Sequence, residues 1–73
     1  MKEVYIVSRT KSYAMSILAR WMLSGNREEI HDKYEDAVAE KEKLEAEALP
    51  FEDRALVIWK IRYAFEIEEM EEE

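Results

Sequence analysis

From Val57 to Glu68 the chain alternates, with Val57, Trp59, Ile61, Tyr63, Phe65 and Ile67 on one parity and Lys60, Arg62, Ala64, Glu66 and Glu68 on the other. Successive strand residues point to opposite faces, so a period of two predicts one long half-buried strand, about thirteen residues from Ala55 to Ile67. Its first residues, Ala55-Leu56-Val57-Ile58, are apolar on both parities, so that end is expected to be sandwiched while the charged end meets water. Trp59, Tyr63, Phe65 and Ile67 are assigned to the core on this pattern.

A strand needs neighbours. Val4-Tyr5-Ile6-Val7, rich in β-branched and aromatic side chains and followed by polar Ser8-Arg9-Thr10-Lys11-Ser12, predicts a first strand over 3 to 9. Two strands alone make a marginal ribbon with unpaired edges. A second copy of the chain is the economical way to complete the sheet, and a homodimer is expected.

Across and flanking residues 13 to 23, polar Ser12, Ser16, Arg20 and Ser24 recur at every fourth position, which fits a helix stripe and also a strand. Composition favours the helix: Ala, Leu, Met and Arg dominate, Ile17 is the one β-branched residue, Ser12 can cap the start and Gly25 can end it. A strand closing in a Ser24-Gly25-Asn26 turn is the competitor. Asn26 followed by Glu29 resembles a capping box, and Ile30, Tyr34, Ala37, Val38, Lys41, Leu44 and Ala48 then recur at helical spacing. A second helix is expected over 27 to 48, with Asp32 as an alternative start that leaves Arg27 to His31 as a short strand or loop. Leu49-Pro50 stops it.

These elements predict one α+β domain, residues 1–68, in the order β-α-α-β: an antiparallel sheet with the helices on one face, completed by dimerisation. Residues 69–73 are read as an acidic C-terminal tail.

The chain has 73 residues, so its core is thin and catalytic clefts are hard to enclose. Cysteine is absent, which removes disulfides, thiolate nucleophiles and Cys-based zinc sites. A single glycine precludes a glycine-rich phosphate loop. His31, beside Asp32 and near Glu28 and Glu35, is the one imidazole, so a metal site would have to rest on carboxylates and is not expected; no cofactor is. The same histidine is the one candidate base for Ser8, Ser12, Ser16 and Ser24, and the chain is read as a non-enzyme. No basic-then-apolar leader stands at Met1, and Arg20 and Lys60 interrupt the most apolar stretches, so a cytoplasmic protein without membrane contact is expected.

The net charge is −7, and it is uneven: residues 1 to 26 carry four bases and one acid, residues 27 to 73 seven bases and seventeen acids. Direct nucleic-acid binding is disfavoured by that balance. Carboxylates on a rigid surface can instead imitate spaced phosphates and occupy a basic groove. Glu35, Asp36, Glu40, Glu42 and Glu47 on the second helix, with Glu52 and Asp53 beyond it, are the candidate partner-binding residues, joined by the Glu66 to Glu73 run. The competing reading gives the acids to solubility and the work to an apolar surface around Trp21 and Met22, with Met15 and Ile17, in a small structural or regulatory homodimer.

Taken together, EVYIV, YEDAVAEKEKLEAEA and ALVIWKIRYAFEIEE resemble the small acidic α+β proteins carried by bacteriophages and other mobile elements. Some of that group inhibit host defence, anti-CRISPR proteins among them, and several are nucleic-acid mimics. The resemblance implies an inhibitor or adaptor that engages the basic, nucleic-acid-binding surface of a host protein such as a defence nuclease or CRISPR effector, within the host cytoplasm.

Overall fold

The computed structural model describes residues 3–47, 55–62 and 66–70. Along them run β1 (Glu3–Ser8), α1 (Lys11–Ser24), α2 (Tyr34–Glu47), β2 (Val57–Arg62) and β3 (Glu66–Met70). The strands form one antiparallel sheet in the order β1-β2-β3. The expected α+β class, with two helices and an antiparallel sheet, is therefore present.

The single thirteen-residue strand is not. Its alternating pattern divides into β2 and β3, which pair with each other from Ile58 opposite Met70 to Arg62 opposite Glu66. The order becomes β-α-α-β-β, and the second neighbour of β2 comes from the chain itself rather than from another copy. Tyr63 and Phe65 lie outside the described residues, Trp59 is buried, and Ile67 packs partly buried against the core. Because β3 runs through Met70, the boundary expected for an acidic tail at residue 69 falls inside a strand.

Register decides where the helices go. Val4 faces Ile61 and Ile6 faces Trp59, so these four side chains share one face of the sheet, where Ala14, Ile17 and Leu18 of α1 join them in one buried cluster with Ile30. Val7 faces Ile58 on the opposite side, and there the second cluster adds Leu56 and Ala37 of α2. The helices thus cover opposite faces, not the one face expected. The cause lies in β1: Val4 and Ile6 on one parity and Tyr5 and Val7 on the other leave two apolar faces to remove from water. Ile6, Ile58 and Ile61 are the largest fully buried side chains, each stabilising by about 1.5–3 kcal/mol.

Residues 13 to 23 are helical, as composition suggests. Thr10 rather than Ser12 caps α1, its Oγ1 accepting from the Tyr13 N–H at 3.1 Å. Gly25 ends the helix in the left-handed region at φ 75°, with its N–H donating to Trp21 O at 2.8 Å. Between the helices Asn26 closes an Asx turn, its Oδ1 accepting from the Glu28 N–H at 3.0 Å, instead of capping a helix. The helix expected from residue 27 begins at Tyr34, close to the alternative start at Asp32. What displaces it is the sheet: His31 and Tyr5 exchange two backbone hydrogen bonds, His31 N–H to Tyr5 O at 2.9 Å and Tyr5 N–H to His31 O at 2.8 Å, extending the outer edge of β1 by one bridge.

Candidate functional site

The candidate carboxylates are displayed by α2, whose inner side is fixed by Ala37 and by the edge-to-face contact of Tyr34 with Tyr5, ring centres 5.8 Å apart. Glu35 and Asp36 occupy the first turn, where a negative charge also complements the helix dipole. At 3.6 residues per turn, Glu35 and Glu42 lie on one stripe with Ala39 and Ala46 between and beyond them. Asp36, Glu40 and Glu47 fall on the neighbouring stripe, interrupted by Lys43. Glu35, Asp36, Glu42 and Glu47 are exposed. Glu40 is half-buried and engaged: its Oε2 is 2.6 Å from His31 Nε2. Glu45 meets Lys41 at 3.5 Å across one helical turn, so that carboxylate is partly neutralised. Glu52 and Asp53 lie outside the described residues.

One contribution from the sheet was not apparent in the sequence. The register that puts Lys60 opposite Glu68 and Arg62 opposite Glu66 turns both glutamates to the side of the sheet that carries α2. The two bases between them and β1 are occupied by Glu3, whose carboxylate lies 3.5 Å from Lys60 Nζ and 3.3 Å from Arg62 Nε. Two layers of acid therefore share one side of the molecule. Period-two parity carries that signal only once the hairpin pairing is known.

The other side differs. On α1, Ile17 is buried and Trp21 half-buried, with the Arg27 guanidinium 5.2 Å from the indole centre. Arg27 is further held by Asp32 at 2.6 Å and Arg20 by Glu29 at 2.8 Å. Of the four residues expected to form an apolar surface, Met15 and Met22 are exposed, and Leu23 stands with them.

A hollow of about 590 Å³ lies where β1 passes into α1, with Val7, Ser8, Thr10, Tyr13, Leu44 and Leu56 in its lining. Ser8 Oγ there donates to Thr10 O at 2.7 Å, while the histidine pairs with Glu40. Among the described residues no group of three or more His, Cys, Asp or Glu is arranged to hold a metal ion, and no helix is long and apolar enough to cross a membrane. Burial raises the Tyr5 phenol above its ordinary value, reinforced by the charge and hydrogen bond of Glu3 and by Glu35.

No protein-family model, no curated protein and no solved structure matches the chain.

Proposed function

We propose that the protein is a non-catalytic binding protein, an inhibitor or adaptor whose acidic side engages a basic, nucleic-acid-binding surface on another protein, such as a defence nuclease or CRISPR effector. The observation that carries the reading is the exposure of Glu35, Asp36, Glu42 and Glu47 on a helix whose inner side is locked to the sheet. A helix held in place fixes the spacing of its carboxylates, so they offer lysines and arginines a counter-surface whose backbone needs no ordering on binding. Glu66 and Glu68, turned to the same side, extend that surface beyond the helix. Association through it is steered electrostatically, fast, and weakened by salt.

The test is capture of partners from the source cell by wild type and by Glu35→Lys/Glu42→Lys, each at low and high ionic strength, followed by competition with nucleic acid for the captured protein. Both positions are exposed, so the variant is expected to keep its fold. The reading requires a partner that is lost on charge reversal, released by salt, and displaced from its nucleic acid by this protein. A partner held equally by both forms at high salt would overturn it.

A further inference from the structure

The outward side of α1 is the apolar counterpart to the acidic side. Met15, Met22 and Leu23 are 52%, 58% and 88% exposed, and with Ala19 and Ser16 between them they form a largely apolar strip bordered by exposed Lys11 and Arg20. With the alanine this is roughly 500 Å² of largely apolar surface, the size of the largest patch on a typical monomer, which is often functional. We propose that its occupant is a second copy of this chain, bound α1 against α1 about a two-fold axis near Ala19.

Three observations select the second copy. The first is charge. The acids of α2 and of Glu66 and Glu68 lie across the sheet from α1, so two copies joined through α1 hold their most negative sides at the greatest separation. The second is the state of the sheet edges. Growth through β3 would set Glu66, Glu68 and Glu69 of one copy against those of another, and the outer edge of β1 already carries the His31 bridge. Sheet continuation, the dimer expected from the sequence, meets opposition at both ends, and α1 does not. The third is self-complementarity. Met15 and Met22 lie seven residues apart with Ala19 close to midway, so antiparallel helices crossing at Ala19 bring Met15 of one copy towards Met22 of the other. Flexible thioether side chains fill such a crossing readily. Two patches together bury roughly 1,000 Å², the lower bound for a specific interface, so the dimer is reversible rather than obligate.

This dimer is independent of the acidic-side reading and would stand if α2 bound nothing. Its test is sedimentation across a dilution series, for wild type and for Met22→Glu/Leu23→Glu, whose sites are exposed enough for the fold to persist, with circular dichroism as the check. Wild type should pass from monomer to dimer with rising concentration, and should associate as well or better at high salt, where the repulsion of −7 charges is screened. The double variant should weaken association at least tenfold. Because the chain has no cysteine, Ala19→Cys supplies one thiol that should form an intermolecular disulfide under mild oxidation, while Ala46→Cys, exposed on the outer side of α2, should not. A wild type that stays monomeric throughout overturns the proposal. So does a dimer indifferent to the double variant, or equal cross-linking through residues 19 and 46.

Discussion

His31 Nε2 and Glu40 Oε2 meet at 2.6 Å, tying the backbone bridge on the edge of β1 to the middle of α2. The pair joins two elements that no helical spacing connects, and it withdraws Glu40 from the exposed carboxylates. Both side chains are only half-buried, so its net worth is less than that of an enclosed charged hydrogen bond.

A double-mutant cycle with His31→Ala and Glu40→Ala should give a coupling of about 1 kcal/mol by urea denaturation. Each single variant should lower Tm by about 4–8 °C. Additive losses would mean that the two residues act separately.

Gly25 isolates a backbone effect. Its φ of 75° lies in the left-handed region, and a Cβ built there meets nothing within 4 Å. Gly25→Ala should therefore cost about 1–2 kcal/mol through conformation alone, and Gly25→Asn distinctly less, because asparagine tolerates that region. Equal losses in thermal melts of the two variants would contradict this cause.

Tyr5 predicts the alkaline behaviour. The folded chain holds the phenol proton more tightly than the unfolded one, in which tyrosine titrates near 10. The resulting stabilisation is complete below that value and disappears as pH rises towards and through the folded value. Unfolding free energy should therefore decline above pH about 10, less steeply in Tyr5→Phe, and the difference between the tyrosinate absorbance titrations of wild type and Tyr5→Phe should be a phenol that ionises late. Parallel declines in wild type and Tyr5→Phe would remove Tyr5 as the origin.

β1, α1 and the later part of α2 were legible because local composition, and Gly25 at the end of α1, agree with the fold. The hairpin was not, for a physical reason. Its paired residues sum to an even number, Ile61 with Ile67 and Ile58 with Met70, so partners have the same parity and the alternation continues across the reversal. Tyr63-Ala64-Phe65 contains none of the Gly, Pro, Asn or Asp that commonly mark a turn. The opposite placement of the helices was present in Val4 to Val7, which is apolar on both parities, but became readable only with the register. Of the candidate carboxylates, exposure was foreseeable for Glu35, Asp36, Glu42 and Glu47. The fate of Glu40 was not, since it depends on His31 reaching the sheet edge.

The pairing of Glu3 with Arg62 and of Ser8 with Val57 also governs the order of events during synthesis. β1 emerges well before β2 and has to wait for both helices to follow it before its ladder partner appears. Local contacts can form the two helices early, but closing the β1–β2 ladder carries the entropy of a long loop and comes late. Until then the hydrophobic sides of both helices lack the surface that covers them, and the nascent chain depends on its surplus of negative charge to stay apart from its neighbours.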